Sequence, residues 1–142
     1  MAYWLVKSEP DVWSWQQQKA KGKTGEAWSG VRNYTARNYM RLMQLGEKVF
    51  FYHSNIGKEI VGIAEVSAIA KQDPTTDDKR WECVELIAYM DLPRAVTLKE
   101  IKSDGRFANM ALVKHTRLSV QPVTEQEWRD ICNLAGLTDI II

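Results

Sequence analysis

Residues 47–70 read EKVFFYHSNIGKEIVGIAEVSAIA, and this stretch decides the fold. Residues 47–54 and 59–70 are rich in β-branched, aromatic and other apolar side chains, which predicts two strands. The four residues between them, NIGK (55–58), are typical of a turn because Asn and Gly tolerate unusual backbone angles. So short a connection favours antiparallel pairing of the two strands.

Three further segments predict strands. They are AYWLVK (2–7), which is an apolar and aromatic run, RWECVELIAYMDL (80–92), in which two sets of side chains alternate, and a shorter strand around 117–120 within MALVKHTRLSVQPV (110–123). KQDPTTDDK (71–79) is predicted to be a polar loop.

Four predicted helices begin at residues whose side-chain oxygen can accept a hydrogen bond from the first helical turn. These caps are Ser14, Asn33, Thr97 and Thr124, and Ser14 and Thr124 are followed at capping-box spacing by Gln17 and Glu127. The helices are expected to end near Ala20, Gly46, Ser103 and Gly136. Short helices between strands that are distant in sequence favour an α+β fold with a curled sheet or small barrel over a parallel βαβ fold.

The charge of the chain excludes a strongly basic protein. Its 142 residues suit one domain over residues 1–142, and the formal net charge of +1 gives no global field that attracts polyanions. Contact with a nucleic acid must therefore come from a local patch. Residues 16–45 form a basic region in which Glu26 is the single acid, and its cations are Lys19, Lys21, Lys23, Arg32, Arg37 and Arg41.

Cys83 and Cys132 are far apart in the sequence, so they indicate neither a disulfide framework nor a metal-binding cluster. We expect both to be reduced structural thiols in a cytoplasmic protein. The first ten residues, MAYWLVKSEP, lack the long apolar core and the cleavage site of a signal peptide. No apolar run reaches the length of a membrane span, so the sequence predicts no membrane partner.

Four polar and aromatic segments lie at the ends of predicted strands, which is where the binding residues of a barrel tend to collect. They are residues 7–10, 28–33, 52–55 and 117–120. We therefore expect these four segments to meet at one rim of the sheet.

The residue types in these segments suit a flat heteroaromatic ligand that carries a phosphate. Trp28 and Tyr52 can stack on a ring, while Ser and Asn side chains bond its polar edge. Lys7, Arg32 and Arg117 can hold a phosphate. Stacking combined with hydrogen bonds to a ring edge is how proteins recognise an extruded or unpaired base.

Each of these residues also has a simpler interpretation when taken singly. Trp28 is typical of a core aromatic residue, Asn33 of a helix cap and His53 of a partly buried histidine. Arg37 and Arg41, at four-residue spacing, are typical of a solvated helix face. Spacing alone does not choose between a ligand site and these structural roles.

The sequence carries no familiar catalytic motif. It contains two histidines, His53 and His115, but no nucleophile elbow, phosphate-binding loop or zinc-binding HExxH pattern. In an enzyme acting on a nucleotide or nucleoside, His53 would be the base. Three classes therefore stay open: a nucleic-acid-binding module, such an enzyme, and a sensor of a free modified nucleoside.

The chain resembles the EVE domain family in motifs that occur in the same order over essentially all of its length: YWLVKSEP, WSGVRNYTARNYMR, VFFYHSN followed by IVGIAEV, DP (73–74), and ALVKHTRLSVQPV followed by TEQEW. This resemblance implies a PUA-like fold, a mixed curled β-barrel flanked by short helices. The same superfold includes the YTH modules that read methyladenine in RNA. The family implies non-enzymatic reading of a modified base, chiefly a flipped 5-modified cytosine in DNA, and it requires no metal or cofactor.

The resemblance marks the following positions as binding residues: Lys7, Ser8, Trp28, Ser29, Gly30, Val31, Arg32, Asn33, Tyr52, His53, Ser54, Arg117, Leu118 and Ser119. In this interpretation Trp28 and Tyr52 are the walls of a base pocket. Outer electrostatic contacts are assigned to Lys19, Lys21, Lys23, Arg37 and Arg41. The expected partner is modified DNA, and an RNA reader is the alternative because the superfold also binds RNA.

Overall fold

The predicted pair of strands at 47–70 lies at the centre of a six-stranded sheet in a computed structural model, which describes residues 1–137. The strands are β1 (Tyr3–Ser8), β2 (Glu26–Ala27), β3 (Lys48–His53), β4 (Glu59–Gln72), β5 (Glu82–Thr97) and β6 (Val120–Val123). The helices are α1 (Trp15–Ala20), α2 (Tyr34–Leu42), α3 (Leu98–Ser103), α4 (Ala111–Lys114) and α5 (Glu125–Leu134). Short 3₁₀ turns occupy Gly22–Thr24 and Gly105–Phe107.

The sheet is mixed, with the strand order β2-β5-β4-β3-β1-β6. As the sequence predicts, β3 and β4 are antiparallel, with Lys48 opposite Glu65 and His53 opposite Glu59. β1 runs parallel to β3, whereas β6 runs antiparallel to β1. The long β4–β5 pairing is interrupted by several register shifts, and such bulges bend and twist a sheet. The α+β class with a curled mixed sheet is therefore confirmed.

Side chains alternate along β3 and divide the core into two parts. Val49 and Phe51 lie on the side that packs against α1 and α2, here called the α1–α2 face. Phe50 and Tyr52 lie on the side that packs against α3, α4 and α5, here called the α3–α5 face. On the α3–α5 face Trp128 stacks on Phe50 at a centroid distance of 3.8 Å.

Helix α1 is fixed to the sheet by three contacts of its own residues. The indole of Trp15 covers Gly62 of β4, and a Cβ on this glycine would lie 2.2 Å from the ring. The Trp15 Nε1–H donates to Asp91 at 2.7 Å, and Gln18 Nε2 donates to the Leu86 carbonyl at 2.9 Å. The loop before α1 is thereby held against the open end of the sheet.

The predicted helix caps are confirmed, because the side chains of Ser14, Asn33, Thr97 and Thr124 each accept a backbone hydrogen bond from the helix that follows. The last predicted strand is displaced: it occupies Val120–Val123 instead of 117–120, and residues 111–114 are helical. β6 can contain Pro122 because it is an edge strand. Proline cannot donate a backbone hydrogen bond, and an edge strand pairs with a neighbour on one side only. The short β2 was not predicted. The single domain expected over 1–142 includes residues 138–142, which lie outside the described residues.

Candidate nucleic-acid interface

A cavity of about 670 Å³ lies where the curled sheet does not close on itself. β2 and β6 are the two ends of the strand order, and the cavity is lined by the segment that follows β2 and the segment that precedes β6. We call it the edge cavity. Its lining residues are Lys7, Ser8, Glu9, Val12, Trp13, Glu26, Ala27, Trp28, Ser29, Gly30, Val31, Arg32, Ser54, Thr116, Arg117 and Ser119.

Trp28 packs in the core and also lines the edge cavity. Its side chain is only 8% exposed and meets Phe51 edge to face at a centroid distance of 5.6 Å, so it belongs to the core of the α1–α2 face. Its backbone N–H donates to the Val84 carbonyl at 2.9 Å and so prolongs the pairing of β2 with β5. The same residue lines the edge cavity. Core packing therefore fixes the position of one cavity wall.

A second aromatic residue of the cavity, Trp13, was not predicted from the sequence. It is half-buried, and its Nε1–H donates to the Gln18 side chain at 2.9 Å. Its backbone carbonyl accepts a hydrogen bond from the Ser8 hydroxyl. Trp13 lies in the loop before α1, outside the four segments singled out by their positions at strand ends. The anchored α1 thus holds a second indole at the edge cavity.

The structure does not place Tyr52 among the residues that line the edge cavity, so it does not bring Trp28 and Tyr52 together as two walls of this cavity. Tyr52 is 3% exposed and belongs to the core of the α3–α5 face. It follows Phe51 in β3, so alternation directs it away from the side that carries Trp28. Burial raises the pKa of the Tyr52 hydroxyl.

His53 also lies outside the set of residues that line the edge cavity. Its Nε2 accepts a hydrogen bond from the Trp15 backbone N–H at 3.0 Å, and its ring lies edge-on to Phe51 at 5.7 Å. Burial lowers the pKa of His53, although the nearby Glu59 carboxylate acts in the opposite direction. A neutral His53 therefore supports α1. The next residue, Ser54, does line the cavity, and its N–H donates to the Ser8 carbonyl at 2.9 Å.

The loop after Trp28 is organised by a buried carboxylate, Asp73, which belongs to the DP motif but was assigned no role from the sequence. Asp73 is 1% exposed and accepts hydrogen bonds from the Gly30 N–H at 2.8 Å and from the Arg32 guanidinium at 3.1 Å. It also accepts bonds from the backbone and the hydroxyl of Thr75, at 2.7 and 2.6 Å. Burial alone would raise the pKa of Asp73, but these hydrogen bonds outweigh it and bring the pKa to about 2. Gly30 has φ +81°, a conformation that favours glycine.

The cations of the edge cavity are Lys7, Arg32 and Arg117. Arg32 is ion-paired with Asp73, so its charge is balanced within the protein. The Lys7 ammonium donates to the Thr116 carbonyl at 2.8 Å, and burial lowers its pKa. For Arg117, which is exposed, the described part of the chain supplies no ion pair. Lys7 and Arg117 are therefore the cavity cations whose charge is not balanced by an acid.

Most of the predicted outer cations are paired with acids. Lys19 contacts Asp91 at 3.0 Å and Lys21 contacts Glu26 at 3.5 Å. Arg41 pairs with Glu82. Lys23 and Arg37 have no acidic partner within residues 1–137, although Arg37 donates to the Arg80 carbonyl at 2.8 Å. The basic region of the sequence is thus largely neutralised on folding.

The remaining predicted residues lie at or next to the edge cavity. Ser29, Val31 and Ser119 line it, and the Ser119 carbonyl accepts the Lys7 backbone N–H at 2.9 Å. Asn33 caps α2 by accepting the Ala36 N–H at 2.9 Å, as its simpler interpretation predicts. Asn33 and Leu118 line a neighbouring depression of about 440 Å³, to which Arg117 also contributes.

Residues 1–137 contain no group of three or more His, Cys, Asp or Glu side chains that could hold a metal ion. Within the same range, no helix has both the length and the apolar character needed to cross a membrane. Cys83 and Cys132 are both buried and unpaired, and burial raises their pKa values to about 11 and about 12. Neither thiol lines the edge cavity.

A curled, mixed six-stranded sheet with short helices on both faces defines a PUA-type module. The YTH domain of Zygosaccharomyces rouxii MRB1 shares this fold, with a TM-score of 0.57 and 18% identity over 94% of this chain and 86% of that chain. The family model of the EVE domain matches residues 2–134. The chain belongs to the EVE domain family, as its motifs predicted.

Two relatives are similar over nearly the whole chain. A protein from Agrobacterium tumefaciens of known crystal structure is 52% identical, with a TM-score of 0.97 over 99% of this chain and 97% of that chain. Human thymocyte nuclear protein 1 is 34% identical over 94% of this chain and 73% of its own length. The crystal structure of human THYN1 in complex with 5-methylcytosine-containing DNA has a TM-score of 0.88 and 32% identity, covering 95% of this chain and 98% of that chain. The complex of human THYN1 with DNA supports nucleic-acid binding by an EVE domain.

Proposed function

We propose that the protein is a non-enzymatic nucleic-acid-binding module that reads a modified base, a flipped 5-modified cytosine in DNA. The observation that carries this proposal is the edge cavity, in which two indoles, hydroxyl and backbone groups, and the unbalanced cations Lys7 and Arg117 occur together. Human THYN1, a member of the same family, has been crystallised with 5-methylcytosine-containing DNA, which supports the choice of DNA and of cytosine.

In this proposal the base enters between Trp13 and Trp28. Both indoles line the edge cavity and both are fixed by the fold, so little ordering is required when a ring stacks on them. Stacking on an aromatic side chain contributes about 1–3 kcal/mol per base. Ser29 and Ser54, together with exposed backbone groups, are close enough to the cavity to bond the polar edge of the base.

Phosphate contacts are assigned to Lys7 and Arg117. Flipping a base costs on the order of a few kcal/mol, which is comparable to the favourable free energy of stacking. Binding therefore depends on additional attraction to the strand, and this attraction weakens with salt because counterions are released. Arg32 acts chiefly through Asp73, as part of the loop that carries Gly30.

A catalytic role for His53 is not favoured by the geometry. Its Nε2 already accepts the Trp15 N–H, and its ring is not among the residues that line the edge cavity. A base must be able to reach the proton that it removes from the substrate. We therefore propose binding without chemistry.

The test is a binding titration with matched DNA and RNA oligonucleotides that carry cytosine, 5-methylcytosine or 5-hydroxymethylcytosine. Wild-type protein should prefer a modified cytosine in DNA, and Trp13→Ala should lose this preference. Trp13 is chosen because it is half-buried, whereas Trp28 is part of the core. Tyr52→Phe keeps a buried ring of the α3–α5 face, so it serves as a control for an intact core and should keep the preference.

Two outcomes would overturn the proposal. Equal, salt-sensitive binding to every oligonucleotide would show that the protein attracts strands electrostatically without reading the base. A stronger preference for the modified RNA would show that the protein reads a modified base in RNA.

A further inference from the structure

Beside the edge cavity, two aromatic rings stack on the protein surface. Tyr34, the first residue of α2, lies on Trp81 with a centroid distance of 4.9 Å and an interplanar angle of 23°. Arg32 connects this Tyr34–Trp81 pair to the cavity, because it lines the cavity and its guanidinium lies 5.4 Å from the Trp81 ring centre. No part of the proposed base pocket uses Tyr34 or Trp81.

One face of the Tyr34 ring is uncovered. Trp81 covers the other face and is itself only 9% exposed, whereas Tyr34 is 49% exposed. The Arg37 guanidinium lies 4.8 Å from the Tyr34 centroid and only 5.8 Å from the Trp81 centroid, so it is close to both rings. It therefore lies at the flank of the pair and not on the outer face of Tyr34.

Three arginines contact the pair, and Arg37 is the one of these three without an acidic partner in the described part of the chain. Arg32 is paired with Asp73, and Arg80 is paired with Asp78 at 2.6 Å. Arg37 has no acidic partner among residues 1–137 and is held by the Arg80 carbonyl at 2.8 Å and by Asn38. A rigid exposed ring with one free positive charge at its side is complementary to one nucleotide, which offers a flat base and one phosphate charge.

We propose that the outer face of Tyr34 stacks an unpaired base of the same strand, next to the modified base in the edge cavity, and that Arg37 contacts its phosphate. This inference rests on the proposed function, because it takes the edge cavity as the site of the flipped base. It assigns a second nucleotide position to the protein. It also makes the bound strand unpaired over at least two successive nucleotides.

The experiment uses single-stranded oligonucleotides with one modified cytosine and an abasic nucleotide placed immediately on its 5′ side or its 3′ side. An abasic nucleotide keeps the phosphate and removes the base, so the loss of affinity measures stacking. Wild-type protein should lose between about fivefold and a hundredfold in affinity for the abasic position on one of the two sides. Tyr34→Ala should bind the intact strand as weakly as wild type binds the abasic strand, with no further loss on base removal.

Three variants complete the design. Tyr34→Phe keeps the ring and loses the hydroxyl that accepts a bond from Arg80, so it should keep the abasic penalty. Arg37→Gln should weaken intact and abasic strands alike. Arg41 is on the same helix and is already paired with Glu82, so Arg41→Gln should change the affinity for intact and for abasic strands very little.

An abasic penalty of the same size in wild type and in Tyr34→Ala would overturn the inference, as would the absence of a penalty on both sides. The preference for modified over plain cytosine is measured separately through Trp13→Ala. Failure of base reading and failure of stacking at Tyr34 are therefore distinguishable.

Discussion

The backbone N–H of Trp15 donates a hydrogen bond to Nε2 of His53 across 3.0 Å. The imidazole can accept this bond only while Nε2 is unprotonated. His53 thereby couples the end of β3 to the start of α1, and α1 holds the loop that carries Trp13. A residue that the sequence suggested as a ligand contact or a base is in the structure a support for the cavity wall.

This bond predicts a pH dependence of stability. Burial keeps the pKa of His53 below its unfolded value, which is about 6.5. The neutral ring stabilises the fold fully above that unfolded value, and the contribution is lost as the pH falls through the lower folded pKa. Urea unfolding midpoints measured between pH 7.5 and about 5 should therefore fall more steeply for wild type than for His53→Gln, whose amide oxygen can still accept the bond. Equal slopes for the two proteins would contradict this role of His53.

Gly62→Ala should destabilise the protein through overpacking. The new Cβ would lie 2.2 Å from the Trp15 indole, which cannot easily move because its N–H is bonded to Asp91. We expect a loss of about 1–3 kcal/mol in the free energy of unfolding, measured by urea denaturation. Gly105→Ala is the matched control, because its Cβ would have no neighbour within 4 Å. A Gly62 variant as stable as the Gly105 variant would show that α1 is more adaptable than these contacts indicate.

Asp73→Asn should loosen the loop that carries Gly30 and Arg32. The buried carboxylate accepts several hydrogen bonds, and bonds to charged groups contribute about 1.5–3 kcal/mol, so the loss of unfolding free energy should lie in that range. Because the pKa of Asp73 is lowered to about 2, its contribution is present above the unfolded value and is lost as the pH falls toward 2. Asp78→Asn removes an exposed pair with Arg80 and should have little effect in the same denaturation assay.

The salt dependence of binding should separate the cavity cations from the paired ones. Arg117→Gln is expected to reduce the slope of log affinity against log salt concentration by about 1, because an unbalanced phosphate contact is removed. Lys21→Gln should leave the slope nearly unchanged, since Lys21 already faces Glu26. Slopes measured with one oligonucleotide over a range of salt concentrations test both statements. A larger change of the slope for Lys21→Gln than for Arg117→Gln would indicate that the nucleic acid contacts the basic region, residues 16–45, and not the edge cavity.

The features that sequence analysis predicted well depend on interactions that are local in the chain. Ser14 and Thr124 cap their helices through residues three positions away, so a short window contains all of the necessary information. The β3–β4 pair follows in the same way from two apolar runs and a short turn. The family motifs supplied the overall PUA-like fold.

The errors concern contacts between distant residues. Whether Tyr52 faces the cavity depends on which side of β3 is closed by α1 and α2, and the alternation within β3 does not contain that information. The pairing of Arg32 with Asp73 joins residues that are 41 positions apart. Trp13 was missed because its position in the cavity is set by Gln18 and by the fit of α1 on β4.

The position of the edge cavity between β2 and β6 has an evolutionary consequence. Half of the residues that line it lie on the segments that follow β2 or precede β6. Substitutions there can alter which chemical group is recognised while the ladder that supports the fold stays intact. Such a module can diversify its specificity through loop residues of the cavity such as Ser29 and Arg117, whereas Trp28 is constrained because it also belongs to the core.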